Sequence, residues 1–342
     1  MTTFVGVRHT AEIVAREGVA RMISGMIGYL EHDFSRWQEF EKLPRIPSHT
    51  PFGVIELMPA SDAETYAFKY VNGHPWNPAS GYQTVTAFGV LADVHNGYPV
   101  FVSEMTLLTA LRTAATSSLV ARYLARADAS VAAFIGTGSQ SEFQAIGLST
   151  VRSLRQLRIW DVDAAAMDKF ERNMSPLGIE IVRATSAADA VRGADIVTTC
   201  TADKAMATVL HAAQIEPGVH INAIGGDCPG KTELEPAILD SGPVFVEFTP
   251  QTRIEGEIQQ MPEDFPVVEF WQVVQGIHPG RSRAEEVTIY DSVGFAIEDF
   301  SALRYLRDVA RAQGLSADID LVAEPEDPKD LYGLVGEFSP VG

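Results

Sequence analysis

A glycine-rich loop in the second half of the chain carries the residues best suited to catalysis. The segment NAIGGDCPGKTEL (222–234) overlaps and continues the apolar run His220–Ile224. Its two adjacent glycines would let the backbone lie against a flat cofactor ring, and Asp227 would then project a carboxylate into a site shared by cofactor and substrate. Ligands of open α/β sheets bind beyond the carboxyl ends of the strands, where this loop is expected. Asp227 is equally consistent with a helix cap, and Lys231 with a solvated cation.

A second glycine motif predicts where the cofactor binds. The segment GTGSQS (136–141) follows the apolar run VAAFI and precedes a helix-like stretch. Gly136 would permit a tight turn, and Gly138 would let the backbone approach a pyrophosphate at the positive end of the following helix. The next predicted strand ends at Asp161, 25 residues after Gly136. A carboxylate there can accept hydrogen bonds from both ribose hydroxyls and would repel a 2′-phosphate, which favours NAD over NADP, although Asp161 is also consistent with a turn residue.

The elements around these motifs predict an α/β protein. From about Ala129 onward, short apolar runs alternate with helical segments, which is typical of a parallel, doubly wound sheet of the Rossmann type. The runs are 131–135, 157–160, 179–182, 196–199, 220–224 and 244–247, and the helical segments include 142–153, 164–174 and 294–313. The first third predicts a helix with an apolar stripe from Ile23 to Trp37 and a mostly antiparallel sheet. Its predicted strands are 54–58, 66–71, 85–91 and 100–103, with an Asn96-Gly97 hairpin turn between the last two.

Composition and charge exclude several classes of protein. Asp and Glu number 45 against 26 Lys and Arg, and a net charge of −19 is unfavourable for binding nucleic acid or anionic membranes. Two cysteines cannot form a disulfide framework, and no stretch approaches the roughly 20 apolar residues of a membrane helix. The histidines lack metal-ligand spacing, so no metal site is predicted. The sequence also lacks the nucleophile elbow of the α/β-hydrolases. We expect a cytoplasmic protein that acts on a small molecule.

The chain resembles bacterial members of the ornithine cyclodeaminase/mu-crystallin family over most of its length. The run DCPGKTEL (227–234) is the most specific part of the match, and its aspartate is characteristic of the cyclodeaminases. The other matching segments follow the order of the family: GVIELMP (53–59), YAFKYVNGHP (66–75), TAFGVLADVHNGYPV (86–100), ALRTAATS (110–117), SQSEFQA (139–145), VFVEFTPQTRIEGEIQQ (244–260) and DSVGFAIEDF (291–300).

The resemblance implies an NAD-dependent ammonia-lyase that converts L-ornithine to L-proline and ammonia, in proline biosynthesis and arginine degradation. It implies that Asp227 is the catalytic acid/base and that Glu56 lies near the substrate amines. The residues implied for the substrate are Arg45, Lys69 and Arg112, which would hold its carboxylate, and Val293, which would line the pocket. The residues implied for the cofactor are Thr84, Arg112, Ser139, Gln140, Asp161, Thr201, Ile224, Gly225, Gly226, Asp227, Lys231 and Ser292.

The residues themselves leave these roles open. Lys69 lies between Phe68 and Tyr70 in a predicted strand whose pleat would turn it away from those aromatics, as an exposed lysine on the wet face of an antiparallel sheet would be. Arg112 in a predicted helix and Glu56 in a predicted strand are equally consistent with solvated surface groups. An α-amino acid nevertheless needs a cation for its carboxylate, and arginine offers a planar pair of donors.

Three other functions remain compatible with the sequence. An NAD(P)H-dependent ketimine reductase or amino-acid dehydrogenase on the same scaffold would consume or produce NADH stoichiometrically. A catalytically silent binding protein, as mu-crystallin relatives can be, would need no proton acceptor beside the nicotinamide. A lysine cyclodeaminase, which closes a six-membered ring, is a narrower alternative because spacing in a sequence does not measure pocket depth.

The resemblance also implies a homodimer in which the N-terminal sheets associate. With the change of pattern along the chain, it predicts two domains. Residues 1–113 and 303–342 are expected to form a mixed α+β domain for substrate binding and dimerisation. Residues 114–302 are expected to form the NAD-binding Rossmann domain, and the tail 324–330 to lie on the surface.

Overall fold

The computed structural model describes residues 1–201 and 206–337 and contains two large β-sheets with helices packed against them. The strands are β1 (Thr2–Val5), β2 (Glu41–Lys42), β3 (Ile46–Thr50), β4 (Gly53–Ser61), β5 (Thr65–Gly73), β6 (Ala87–Asp93), β7 (Pro99–Glu104), β8 (Val131–Ile135), β9 (Gln156–Trp160), β10 (Glu180–Arg183), β11 (Ile196–Thr199), β12 (Met206–Leu210), β13 (His220–Ala223), β14 (Thr232–Leu234), β15 (Val244–Val246), β16 (Val268–Glu269), β17 (Thr288–Asp291) and β18 (Ala317–Ile319). The helices are α1 (Val7–Glu17), α2 (Val19–Ser35), α3 (Thr106–Leu124), α4 (Ser141–Val151), α5 (Ala164–Met174), α6 (Ala187–Val191), α7 (Pro236–Leu239), α8 (Thr249–Glu255), α9 (Phe270–Val274), α10 (Ala296–Gln313) and α11 (Gly333–Glu337).

The first sheet has the order β18-β1-β7-β6-β5-β4-β2, with β3 also paired to β4. All its pairs are antiparallel except β1 with β7, which confirms the predicted character of the N-terminal third. Gly97, in the turn between β6 and β7, has a φ of 76°, a conformation that glycine adopts readily. Along β5 the side chains alternate, so Lys69 is buried on the inner face while Phe68 and Tyr70 face outward.

The second sheet is entirely parallel and has the order β10-β9-β8-β11-β13-β17-β15-β16. This confirms the predicted doubly wound sheet. Chain order reverses between β8 and β11, so the crevice at their carboxyl ends is the topological switch point where ligands bind in such folds. All six predicted apolar runs are strands of this sheet. Strands β16 and β17 were not predicted, and β17 inserts between β13 and β15.

Helices α3 and α10 join the two sheets. One hydrophobic cluster contains side chains of α2, α3 and α10 together with Phe245 and Tyr290 of the second sheet, so the sheets share a core. The predicted domain boundaries at 113/114 and 302/303 fall inside α3 and α10. The division into two domains stays a prediction, and residues 338–342 of its second segment lie outside the described residues.

The predicted helices are present, α5 with the predicted ends and the others with shifted ends. Predicted segment 164–174 is α5, 142–153 is α4, and 294–313 is α10. The apolar stripe from Ile23 belongs to α2, which ends at Ser35, and Trp37 starts a short 3-10 turn. The tail 324–330 has neither helix nor strand and is largely exposed. Within the described residues, every helix is too short or too polar to cross a lipid bilayer.

Candidate functional site

The first glycine turn lies at the switch point. Gly136 follows β8 with a φ of 97°, and a Cβ there would lie 2.7 Å from the carbonyl oxygen of Cys200 at the end of β11. Both the conformation and the close approach therefore require glycine. A Cβ at Gly138 would meet open space. Helix α4 begins at Ser141, and the N–H groups of its first turn lack partners within the helix. The turn thus fits a pyrophosphate at a helix N-terminus.

Asp161 is fixed against this turn. Its Oδ2 accepts hydrogen bonds from the backbone N–H (2.6 Å) and hydroxyl (3.0 Å) of Thr137, and its Oδ1 accepts one from the N–H of Asp163 (2.9 Å). Oδ2 thus accepts two hydrogen bonds already, whereas Oδ1 accepts one and has a further lone pair for a ribose hydroxyl. Lys169 of α5, which the sequence analysis did not single out, donates to the carbonyl of Gly138 at 2.8 Å. These contacts fix the 136–141 turn and the Asp161 carboxylate relative to each other. The resulting arrangement fits NAD.

The second loop brings Asp227 beside a buried lysine. The Nζ atom of Lys231 lies 3.2 Å from Asp227 Oδ1 and donates to the carbonyl of Thr201 at 3.2 Å. The Lys231 side chain is 6% exposed and that of Asp227 is 52% exposed, so the carboxylate is accessible to a ligand. Burial alone would lower the pKa of Lys231, but the charges of Asp227 and Glu233 outweigh it and raise that pKa. Both alternatives are wrong here: the N-cap position of α7 is Glu235, not Asp227, and Lys231 is buried rather than solvated.

Lys69 and Arg112 share a buried carboxylate partner on α10. Lys69 Nζ lies 2.8 Å from Asp299 Oδ2, and Arg112 Nε donates to Asp299 Oδ1 at 3.0 Å. Arg112 Nη1 donates to Glu298 Oε2 at 2.8 Å. Burial, reinforced by the charge of Arg112, lowers the pKa of Lys69 to about 8. Lys69 is 1% and Arg112 5% exposed, which contradicts the alternative that they are surface cations.

Arg45 completes the group of cations, from the segment between β2 and β3. Its Nη1 donates to Glu56 Oε2 at 3.0 Å, and its Nη2 donates to the carbonyls of Val293 (2.5 Å) and Gly294 (3.0 Å). Its Nε lies 3.0 Å from Glu255 Oε2, an ion pair whose atoms are not aligned as a hydrogen bond. Glu56 is 6% exposed, so it too is no surface acid.

Glu255 is an acid of the site that the sequence analysis did not identify. It is the last residue of α8 and is 3% exposed. Burial, together with the charges of Glu56 and Asp227, raises the pKa of Glu255 to about 7 in spite of Arg45. The available signal was its place in the matching segment 244–260, although nothing in that segment alone distinguishes it from its acidic neighbours.

Backbone contacts bring the start of the second loop next to neighbouring strand ends. The N–H of Ile224 donates to Thr199 and that of Ser292 to Ala223, so the ends of β11, β13 and β17 are adjacent. Ser292 Oγ donates to Glu247 Oε1 at 2.8 Å. Ser139 and Gln140 directly precede α4. Within the described residues, Thr84, in the loop before β6, is not linked to these strand ends by such contacts. Its carbonyl accepts hydrogen bonds from the N–H of His74 and the side-chain amide of Asn72.

The arrangement suits a ligand with a carboxylate and more than one amine. Cations and acids alternate around one buried region, in which Arg45, Lys69 and Arg112 contact Glu56, Glu255, Glu298 and Asp299. The cations can take a carboxylate, and the acids can take ammonium groups. The charge of Asp227 acts on both Arg45 and Glu255, so the Asp227 carboxylate lies near this region.

The chain is similar to known proteins and solved structures over most of its length. The model of the ornithine cyclodeaminase/mu-crystallin family matches residues 8–314. An ornithine cyclodeaminase of Brucella suis biovar 1 (strain 1330) is 55% identical over 97% of this chain and 93% of that protein. A structure described as the basis for recognition of L-lysine, L-ornithine and L-2,4-diaminobutyric acid by lysine cyclodeaminase has a TM-score of 0.92, 30% identity, and covers 97% of this chain and 99% of the other. An archaeal alanine dehydrogenase dimer with bound NAD has a TM-score of 0.86, 29% identity, and covers 94% and 99% of the two chains.

Proposed function

Since the chain belongs to the ornithine cyclodeaminase/mu-crystallin family, we propose that it is an NAD-dependent ornithine cyclodeaminase that converts L-ornithine to L-proline and ammonia. The observation that carries the proposal is the half-exposed carboxylate of Asp227, which follows the second glycine turn and adjoins a buried group of cations and acids. The identity to curated ornithine cyclodeaminases supports ornithine, whereas the L-lysine cyclodeaminase of Streptomyces rapamycinicus is 32% identical over 82% of the chain.

The residues of the chain divide the reaction between them. NAD, when bound, would oxidise Cα of ornithine and later return the electron pair, so the overall reaction is redox neutral. Arg45, Lys69 and Arg112 would hold the α-carboxylate, and Glu56 would contact the α-amine. Asp227 would accept a proton from the δ-ammonium, which frees a neutral amine to attack Cα and close a five-membered ring. The α-nitrogen then leaves as ammonia.

One assay separates this function from its rivals. Purified protein is incubated with NAD and L-ornithine, or with L-lysine in parallel, and cyclic product, ammonia and NADH are quantified. We expect proline and ammonia in equal amounts from ornithine, without accumulated NADH. NADH formed in step with product would instead indicate a dehydrogenase. Faster turnover of lysine than of ornithine would indicate a lysine cyclodeaminase. Absence of turnover would indicate a binding protein.

The KM for ornithine is expected to rise about tenfold between pH 7 and pH 9. Lys69, whose pKa is about 8, is mostly neutral at pH 9 and would then no longer hold the substrate carboxylate as a cation. Asp299, Arg112 and Arg45 are the charges that act on Lys69, and the cation is present below this pKa and lost above it. The side chain of Lys69→Arg stays charged at both pH values. The ratio of KM at pH 9 to KM at pH 7 should therefore be smaller in this variant than in wild type. The remaining increase should be the one that titration of ornithine itself causes. An unchanged ratio would show that Lys69 does not hold the carboxylate.

Asp161→Ala is expected to weaken NADH binding by about 10- to 100-fold, the value of one charge-assisted hydrogen bond to a ribose hydroxyl. NADPH binding should improve relative to NADH because the charge that repels a 2′-phosphate is removed. Fluorescence titration with both nucleotides measures this. Asp163→Asn, two residues away, keeps a helix cap and serves as the control. Equal affinity of wild type and Asp161→Ala for NADH would contradict the assignment.

The proposal includes a cytoplasmic homodimer, acting in proline formation from arginine-derived ornithine. The outer face of the first sheet exposes Leu57, Tyr66, Phe88 and Val100 by 40–43% each, and Phe88 stacks on Tyr70 with ring centroids 5.1 Å apart. Contiguous apolar residues on one sheet face favour association. Sedimentation velocity is expected to show a dimer, and a monomer at micromolar concentration would contradict it.

A further inference from the structure

Three buried carboxylates lie in a row behind the second glycine turn. Glu233 Oε1 accepts hydrogen bonds from the hydroxyl and the N–H of Thr201, the latter at 2.9 Å. Glu257 accepts the N–H groups of Glu233 (2.7 Å) and Leu234 (3.0 Å). Asp291, at the end of β17, accepts the N–H groups of Glu257 and Ile258 at 2.8 and 2.9 Å. Each carboxylate therefore holds the backbone of the next acid, or of the strand end beside it.

The turn itself rests on two of these acids. A Cβ at Gly225 would lie 2.0 Å from Glu233 Oε2, and a Cβ at Gly226 would lie 2.7 Å from Glu257 Oε1. The carboxylates thus fill the volume that side chains at the two glycines would occupy. Glu233 Oε2 is buried and packs against the turn, and the hydroxyl of Thr199 interacts with the same carboxylate.

Glu233 also fastens the end of β11 to the loop that bears Asp227. The N–H of Thr201 donates to Glu233, and the carbonyl of Thr201 accepts from Lys231 at 3.2 Å. Both side chains come from the same short segment, which starts four residues after Asp227. Lys231 in turn contacts the Asp227 carboxylate at 3.2 Å. We call these two contacts, of Glu233 with the N–H of Thr201 and of Lys231 with its carbonyl, the Thr201 clamp. Loss of the Glu233 contact would release one side of this clamp while leaving the substrate cations in place.

We propose that Glu233 is a positioning residue that, through the Gly225–Gly226 turn and the Thr201 clamp, fixes the place of Asp227. Glu233 does not touch the substrate region described above. The inference rests on the proposed function for the reaction that Asp227 performs, and on the contacts alone for the position of the loop.

The kinetic test compares two substitutions at this position. Glu233→Ala removes both the acceptor and the filled volume, and displacement of a catalytic group by about 1 Å costs about 100-fold in rate. We expect kcat to fall by that factor while the KM for ornithine stays within about threefold, because the carboxylate-binding cations are untouched. Glu233→Gln keeps an acceptor oxygen and the volume, so it should stay within about tenfold of wild type. Glu235→Gln is the control, because the Glu235 side chain is 40% exposed and lies beside His211 instead of in this row of acids.

A second measurement needs neither substrate nor cofactor. Amide hydrogen exchange, followed by mass spectrometry, is expected to become at least about tenfold faster in residues 222–234 of Glu233→Ala than in wild type, with other segments unchanged. Glu233→Gln should resemble wild type. If the alanine variant fails to fold, Glu233→Asp, one methylene shorter, replaces it with the same expected direction.

The outcomes separate this inference from the proposed function. Unchanged exchange in 222–234, or exchange that rises uniformly along the chain with a lower Tm, would overturn the positioning role. So would a kcat of Glu233→Ala within threefold of wild type. Failure of the wild-type protein to form proline would overturn the proposed function, and the exchange experiment would still decide the role of Glu233.

Discussion

Asp227→Asn is expected to lower kcat for ornithine by about 10²–10⁴-fold, the usual contribution of general acid–base catalysis. The amide has the shape of the carboxylate and can still accept a hydrogen bond from Lys231, so the loop should keep its place. It cannot accept a proton from the δ-ammonium, and a protonated amine does not attack carbon. The loss should therefore lie in kcat, with little change in KM.

Steady-state proline formation measures this effect, and fluorescence titration with NADH checks that the cofactor still binds. Asp264→Asn removes an exposed acid on the surface and serves as the matched control. We expect both variants to bind NADH as wild type does. Turnover by Asp227→Asn close to that of wild type would exclude the carboxylate as the proton acceptor and with it the mechanism proposed here.

Much of the fold could be predicted because its determinants are local. The strands of the second sheet are short apolar runs such as Val131–Ile135, buried on both faces, and their alternation with helices specifies a parallel sheet. Strand β17 escaped prediction because its four residues, Thr288–Asp291, include two polar side chains that are buried only by tertiary packing. The ends of α2, α4 and α10 differ from prediction for the same reason, since end turns are fixed by contacts that the sequence pattern does not contain.

The site was only partly predictable, and the difference lies in the partners of the charges. Glycine motifs and Asp227 could be identified because turns at strand ends have local signatures. The burial of Lys69 depends on Asp299, 230 residues away, and that of Arg45 depends on Glu255. An isolated lysine or arginine in a strand or helix is normally solvated, so the residues alone favoured the wrong environment. Only the resemblance to a family indicated that these cations belong together.

The paired cations have a consequence for substrate binding. Arg45, Lys69 and Arg112 all contact carboxylates of the protein, so a substrate carboxylate must share or exchange these partners. A diamine substrate brings ammonium groups that can take the released acids, whereas a monocarboxylate without amines would leave them unpaired in a buried region. Breaking a buried ion pair without replacement costs about 3–5 kcal/mol, which favours ornithine over simple carboxylates.

Arg112→Lys is expected to lower kcat/KM for ornithine by about 100-fold or more. Arg112 donates from Nε to Asp299 and from Nη1 to Glu298, and under the proposed function Nη2 would donate to the substrate carboxylate. Lysine keeps the charge but offers a single point of attachment, so charge-assisted hydrogen bonds worth about 1.5–3 kcal/mol each are lost.

Steady-state kinetics at pH 7 measures the Arg112→Lys effect, and thermal unfolding checks that the fold is retained. Arg122→Lys on the same helix, at a side chain that is 36% exposed and paired with Glu31, is the matched control and should behave as wild type. A kcat/KM of Arg112→Lys within threefold of wild type would show that charge alone is sufficient at this position. The substrate carboxylate would then need a positive charge at this position and not the planar fork of arginine.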